Sequence, residues 1–120
     1  MCGIYGSTNI TTFEVLEQAN RARGNFSTGV FYAYKSANYN VLRSSGQMNW
    51  DAIKLPVASN GEMLYVGHNQ APTSSAREWK DETAHPFWYG DWIVAHNGVL
   101  TNFNELIDEF VPMHDNPVDS

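Results

Sequence analysis

Five short segments carry apolar residues in the alternating or brief continuous runs that are typical of strands. They are residues 2–7, 30–34, 39–43, 63–68 and 92–95. The second and third are separated by a turn-prone segment centred on Ser36-Ala37-Asn38. We therefore expect these two strands to pair as a β-hairpin.

A first helix is predicted over residues 13–22. Thr11 and Glu14 have the spacing of a capping box, which marks the start of a helix. The segment Arg23-Gly24-Asn25 ends it, because Gly and Asn tolerate the left-handed conformation found after helices. The apolar stripe expected to face the core consists of Val15, Leu16, Ala19 and Ala22.

A second helix is predicted to begin after Asn102, with Glu105 at the capping-box position and apolar residues at 103, 106, 107 and 110. A short helix is expected over 49–55, ended by Pro56. The polar segment 71–84 is predicted to be a long loop, and such loops are often functional. Strands and helices mixed without regular β-α-β alternation predict an α+β fold.

Composition limits the possible functions. With 120 residues, 42% hydrophobic and 13% aromatic, the chain is expected to form one domain with its own core. Its net charge is −6 and it has no basic run, which argues against nucleic acid as a partner. No apolar stretch approaches the roughly 18–20 residues of a membrane span, and no signal peptide is visible. We therefore expect a cytoplasmic protein without a membrane partner.

The single cysteine, Cys2, stands directly after Met1. It cannot form an internal disulfide, and a cysteine-based zinc site is excluded. If Met1 is removed, Cys2 carries both a thiol and a free α-amine with an ordinary pKa of about 7.7–8.0. Such an amine can act as a base for its own side chain, an arrangement used in amide hydrolysis.

Cys2 is the first residue of an ordered set of motifs. The set comprises Cys2-Gly3-Ile4-Tyr5-Gly6, Arg23-Gly24-Asn25-Phe26-Ser27-Thr28-Gly29, Gly67-His68-Asn69-Gln70-Ala71-Pro72-Thr73, His85-Pro86-Phe87, His96-Asn97-Gly98-Val99-Leu100-Thr101-Asn102 and, more weakly, Val118-Asp119-Ser120. Together these motifs resemble class II glutamine amidotransferase domains, which belong to the N-terminal nucleophile hydrolases. The resemblance implies the amino-terminal part of a four-layer αββα sandwich spanning residues 1–120, truncated on its C-terminal side.

The resemblance implies a reaction and its catalytic residues. Cys2 would attack the side-chain carboxamide of glutamine, release ammonia and leave a thioester that water hydrolyses to glutamate. The side-chain amide of Asn97 and the backbone N–H of Gly98 would stabilise the oxyanion of the tetrahedral intermediates. No cofactor or metal is implied. The ammonia would pass to a synthetase partner or to a domain that this chain lacks.

The resemblance also implies a set of substrate-binding positions. Arg23 would order the surroundings of the nucleophile, and Asp119 would bind the α-ammonium group of glutamine. The family has an arginine for the α-carboxylate where this chain has Gln70, and a neutral amide cannot supply a charged bidentate contact. Arg77, farther along the same loop, is the candidate replacement. The full predicted set is Arg23, Gln70, Thr73, Arg77 and Asp119.

Simpler interpretations remain open. Cys2 could be a small buried residue, Asn97-Gly98 a hairpin turn, and Arg23 an exposed charge at a helix end. Three histidines, His68, His85 and His96, invite a metal interpretation, although structural roles are favoured because their neighbours match the motifs. Two other functions also stand. One is an amidase that acts on another amide, favoured by Gln70. The other is a non-catalytic binding or structural descendant, favoured by a retained Met1 and the short chain.

Overall fold

A four-stranded antiparallel sheet forms the centre of the protein, in the order β1-β4-β2-β3. A computed structural model describes residues 1–35, 38–58, 62–71 and 81–110. The sheet strands are β1 (Gly3–Ser7), β2 (Ser27–Tyr34), β3 (Asn38–Ser45) and β4 (Met63–Gln70). A separate antiparallel hairpin consists of β5 (Phe87–Tyr89) and β6 (Trp92–Val94). The helices are α1 (Ile10–Asn20), α2 (Phe103–Phe110) and a 3-10 turn at Asp81–Thr83.

The α+β prediction is confirmed, and so are the five predicted strands, of which residues 2–7 correspond to β1. Strands β2 and β3 form the expected hairpin, in which Tyr34 pairs with Asn38. The predicted strands 63–68 and 92–95 correspond to β4 and β6. Strand β5 was not predicted, because three consecutive aromatic residues show no alternation. Most of the predicted 71–84 loop lies outside the described residues.

The two faces of the sheet have different neighbours. Tyr5 on β1 lies opposite Gly67 on β4, and its ring occupies the space that a side chain at position 67 would fill. On this face, which we call the helix face, the Tyr5 ring packs 5.4 Å from the ring of Phe13 on α1. The hydrophobic core lies here, between the sheet and α1. Its buried members are Tyr5, Phe13, Val30, Met48, Leu55, Met63 and Tyr65.

The opposite face, which we call the hairpin face, carries Ile4, Gly29, His68 and Gln70 by strand alternation. The segment that leads into β5 packs on it. A Cβ atom at Gly29 would overlap the carbonyl oxygen of His85, so glycine is what allows the two backbones to approach. The close approach fixes the hairpin segment against the middle of the sheet.

The predicted buried stripe of α1 is confirmed only for Leu16, which is half-buried and packs against the core. Val15 is 62% exposed, Ala19 and Ala22 are also exposed, and the fully buried residues are Phe13 and Glu17. The helix also begins earlier than predicted, because Asn9 rather than Thr11 caps it, accepting a hydrogen bond from the Thr12 N–H at 3.0 Å. The hydrophobic pattern did not predict this face, because one of the two fully buried residues, Glu17, is charged. Its carboxylate accepts hydrogen bonds from Arg21 and Trp50.

The predicted helix over 49–55 is also wrong. The Asn49 carbonyl oxygen accepts from the N–H groups of Ala52 and Ile53, which makes a single turn. The Asn49 side chain accepts from the Asp51 N–H at 3.1 Å. Asn often bonds nearby backbone in this way, in competition with the helical pattern. The second predicted helix is confirmed and begins directly after Asn102. Of its predicted apolar stripe, only the side chain of Leu106 is described, and it is half-buried.

None of the helices in the described ranges is long and apolar enough to cross a membrane.

Candidate active site

Cys2 lies at the end of the sheet where β1 begins and β4 ends. Its side chain is only 4% exposed, whereas Met1 is 86% exposed. The Sγ atom lies 3.8 Å from the carbonyl oxygen of Ala71, directly after β4, as a weak thiol donor. Gly3 faces α1, because a Cβ there would overlap the Asn20 side chain. Cys2 directly precedes β1, and Ile4, two residues farther on, lies on the hairpin face with His68 and Gln70.

The loop after α1 packs against the same strand end. A Cβ atom at Gly24 would overlap the backbone of Gln70 and Ala71, so the two backbones are in direct contact. The N–H of Phe26 donates to the Gln70 carbonyl oxygen at 3.0 Å. Arg23, which is exposed, precedes this contact. Three sequence-distant motifs therefore meet around the Cys2 thiol.

Gln70 is buried and already has a partner. Its side chain is 3% exposed, and its Oε1 atom accepts a hydrogen bond from the Ser27 hydroxyl at 2.8 Å. Ser27 is also its register partner on β2. The position therefore holds a neutral polar pair, and neither member of that pair offers a charged contact to an anionic group.

Two stacked histidines connect β4 to the motif that begins at His96. The rings of His68 and His85 lie 4.3 Å apart at 17°. The backbone N–H of His96 donates to Nδ1 of His85 at 3.0 Å, and His68 Nε2 lies 3.0 Å from the carbonyl oxygen of His96. Asn97, which is exposed, and Gly98, which is half-buried, follow directly in the chain.

Both stacked rings are neutral at neutral pH. Burial lowers the pKa of His68 to about 4 and the pKa of His85 to about 3. Repulsion between a proton on one ring and a proton on a neighbouring histidine would act in the same direction, whereas the hydrogen bond from His68 to the His96 backbone opposes it. Nδ1 of His68 is buried and has no hydrogen-bond partner among the described residues, which further disfavours a proton there. Among the described side chains, no group of three or more His, Cys, Asp or Glu residues is arranged to hold a metal ion.

These lowered pKa values predict an acid-sensitive fold. The unfolded chain has ordinary histidines with a pKa of about 6.5, so between about pH 6.5 and pH 4 it binds protons that the folded chain does not. The stability contributed by the neutral rings is present above about pH 6.5 and is lost as pH falls. We expect a loss of about 2 kcal/mol per histidine by about pH 5.

Urea unfolding near pH 7 and near pH 5 tests this expectation. The control is the double variant His68→Gln/His85→Asn, which lacks both titrating rings. The free energy of unfolding should fall more steeply with acid in the parent than in the double variant. Equal slopes in the two proteins would contradict the assignment of buried neutral rings.

The predicted site residues separate into three groups. Cys2 and Gln70 lie together at the end of β4, and Gly24, the residue after the exposed Arg23, contacts the Gln70 backbone there. Asn97 and Gly98 are linked to the same strand through the histidines. Thr73, Arg77 and Asp119 lie outside the described residues.

Sequence reasoning missed two polar groups near this site. Ser27, which holds the Gln70 side chain, was not singled out, and neither was Asn69. The Oδ1 atom of Asn69 accepts from the Tyr5 hydroxyl at 2.6 Å, and its amide lies 3.5 Å from the Glu17 carbonyl oxygen. The pairing of β2 and β4 that brings Ser27 to Gln70 joins residues 43 positions apart, so no local pattern indicates it.

Comparison with known proteins gives a distant similarity over most of the chain. The chain is 31% identical over 117 residues to glutamine–fructose-6-phosphate aminotransferase (isomerizing) of Lactococcus lactis, covering 92% of this chain and 19% of that protein. It is 28% identical over 119 residues to the protein of the same name from Streptococcus pyogenes, covering 96% and 19%. The chain thus spans about a fifth of the length of the curated relatives it matches. No protein-family model matches the chain, and no solved structure matches it.

Proposed function

We propose that this chain hydrolyses the side-chain amide of glutamine, as a class II glutamine amidotransferase domain with Cys2 as the nucleophile. The observation that carries the proposal is the buried thiol of Cys2 at the end of β4, where the Arg23 and Gln70 motifs meet. The distant similarity to glutamine-dependent aminotransferases supports the choice of glutamine as substrate.

The reaction requires Cys2 to become the first residue. Met1 is 86% exposed, and the small residue that follows it favours its removal by an aminopeptidase. The freed α-amine takes the thiol proton, and the thiolate sulfur attacks the carboxamide carbon of glutamine. The protonated amine then gives its proton to the departing nitrogen, the C–N bond breaks, and ammonia leaves a thioester. Water adds to the thioester, which releases glutamate and restores the thiol.

The oxyanion formed in both halves of the reaction needs neutral donors. We assign this role to the Asn97 side-chain amide and the Gly98 backbone N–H. Asn97 is exposed and therefore accessible to a substrate, and the ring of His96 lies directly against Gly98. Donors fixed in advance at such a position are worth roughly 10²–10³ in rate each.

The architecture of the whole enzyme is part of the proposal. The sheet and the helix on its core face would form the amino-terminal part of a four-layer αββα sandwich, with the β5–β6 hairpin beginning the second sheet. Residues 1–120 would form one amidotransferase-type domain that supplies ammonia to a synthetase domain or subunit in the cytoplasm. The proposed substrate-binding residues are Arg23, Gln70, Thr73, Arg77 and Asp119.

Removal of Met1 gives the first test of this function. A chain that keeps Met1 lacks the α-amine at Cys2 and should release ammonia and glutamate from glutamine at least roughly 10²-fold more slowly than the Met1-free chain. The matched pair is the same chain, expressed with and without inhibition of methionine aminopeptidase, with each product checked by intact mass. Equal rates for the two forms would contradict the role of the amine.

The second candidate function, an amidase acting on another amide, is favoured by Gln70. Its side chain is neutral, buried and bonded to Ser27, so it offers no charge to the α-carboxylate of glutamine. If glutamine is the substrate, either Arg77 supplies that charge or glutamine binds weakly, since an unpaired buried carboxylate is costly.

Gln70→Arg distinguishes the two candidates. We expect it to tighten glutamine binding by about 1–3 kcal/mol, the range for a charged hydrogen bond. The Kd is measured by calorimetry on the Met1-free Cys2→Ala background. Gln70→Met is the control, because it has similar length without charge and should not tighten binding. If Gln70→Arg leaves the affinity for glutamine unchanged and the parent rapidly hydrolyses a different amide, glutamine is not the substrate and the second candidate function holds.

A further inference from the structure

The backbone of His96 is held at both of its polar groups by buried rings. Its N–H donates to His85 Nδ1 and its carbonyl oxygen contacts His68 Nε2, each at 3.0 Å. The carbonyl of His96 and the N–H of Asn97 belong to one planar peptide group. The bond to His68 therefore fixes the orientation of the peptide from which Asn97 and Gly98 extend.

The two rings have little freedom to move. Each histidine is 1% exposed, and their planes stack at 4.3 Å. The ring of Phe87 packs 4.2 Å from His85. His68 lies on β4, two residues before Gln70, and β4 is hydrogen-bonded to a strand on each side. One rigid strand therefore supports both the contact to Cys2 at its end and the contact to His96.

The hydrogen bonds fix the position of the proton on each ring. A carbonyl oxygen only accepts, so His68 carries its proton on Nε2. A backbone N–H only donates, so His85 Nδ1 is unprotonated. The two neutral rings therefore act in opposite senses, and each provides the one atom that the His96 backbone needs.

We propose that His68 and His85 are positioning residues that hold Asn97 and Gly98 in place for oxyanion stabilisation. This inference rests on the proposed function, since it gives the two rings a role in the same reaction. Neither ring needs to touch the substrate. Their effect passes through the His96 backbone, and a displacement of about 1 Å at such donors can cost roughly 10²-fold in rate.

The amide side chains of Asn and Gln make a sharp test possible. The Asn amide lies near the position of histidine Nδ1, and the Gln amide lies near the position of Nε2. His85→Asn therefore keeps an acceptor for the His96 N–H, whereas His85→Gln misplaces it. His68→Gln keeps a donor for the His96 carbonyl, whereas His68→Asn is too short. For each histidine, one amide variant therefore retains the hydrogen bond to the His96 backbone and the other disrupts it. We call these the retaining and the disrupting variants.

We expect the disrupting variants His85→Gln and His68→Asn to lower kcat for glutamine by about 10- to 100-fold, with KM nearly unchanged, because the oxyanion exists only during the reaction. The retaining variants should keep most of kcat. In parallel, hydrogen exchange at the His96 amide, followed by NMR, should be faster in His85→Gln than in His85→Asn.

The outcomes separate this proposal from the proposed function. Equal kcat losses in retaining and disrupting variants, or losses that only follow the free energy of unfolding, would overturn the positioning role. A Met1-free parent that does not hydrolyse glutamine contradicts the proposed function, and with it any role in oxyanion stabilisation. Hydrogen exchange at the His96 amide then tests whether the rings fix the His96 backbone. Faster exchange in His85→Gln than in His85→Asn supports this, and equal exchange in the two variants overturns it.

Discussion

Replacing Cys2 with alanine is expected to abolish the release of ammonia from glutamine and to leave the fold intact. The thiol is the group that forms the covalent bond, so its loss should reduce kcat by at least roughly 10³-fold, to the background of the assay. Cys2 is buried, but its thiol bonds only weakly, to the Ala71 carbonyl oxygen at 3.8 Å. We therefore expect the free energy of unfolding to change by less than about 1 kcal/mol.

Two further measurements make the Cys2→Ala result interpretable. Urea unfolding of the variant shows whether the fold is retained, and Cys2→Ser supplies a weaker nucleophile of similar size at the same place. The serine variant should be much slower than the parent and still folded. Full glutaminase activity in Cys2→Ala would exclude Cys2 as the nucleophile.

Asn97→Ala is expected to lower kcat by roughly 10²–10³ with a smaller change in KM. The side-chain amide donates to a charge that develops only in the tetrahedral intermediates, so its loss affects the reaction step more than ground-state binding. Asn97 is exposed, and an exposed polar side chain contributes little to stability. The loss of rate should therefore appear without a loss of fold.

The controls for Asn97 are chosen on the same part of the chain. Asn104→Ala removes another exposed amide, from α2, and should leave kcat unchanged. Asn97→Asp keeps the size of the side chain but replaces the donor with a negative charge, so it should be at least as slow as Asn97→Ala. A change confined to KM would assign Asn97 to substrate binding instead.

The sequence predicted the parts of the fold that depend on local patterns. Alternation identified β4, whose first four residues alternate between buried and more exposed. Strands β2 and β3 were identified as two apolar runs on either side of a turn-prone segment. The stripe of α1 could not be found in this way. Glu17 can be buried because Arg21 and Trp50 donate hydrogen bonds to its carboxylate. A pattern based on hydrophobicity assigns every glutamate to the surface and therefore misses it. The helix prediction for residues 49–55 failed for a related reason. The Asn49 side chain accepts a hydrogen bond from the Asp51 N–H, which competes with the helical pattern.

The candidate site was predictable as a set of residues but not as an arrangement. Cys2 was identified from its place after Met1, and Asn97 from its motif. Their surroundings depend on pairing between distant strands, such as Gly3 with Asn69 on β4. No local pattern encodes that pairing. The connection from His68 to His96 is equally non-local, so the sequence indicated structural histidines without indicating what they hold.

The most direct test of the central claim is covalent labelling of Cys2. The Met1-free protein is incubated with a glutamine analogue that carries a diazo ketone in place of the carboxamide, and the product is analysed by intact and peptide mass spectrometry. We predict one adduct per chain, located on Cys2, formed more slowly when excess glutamine is present and absent from the Cys2→Ala variant. A Met1-free, folded protein that remains unlabelled at Cys2, or that is labelled at the same rate with and without glutamine, would contradict the assignment of Cys2 as a glutamine-directed nucleophile.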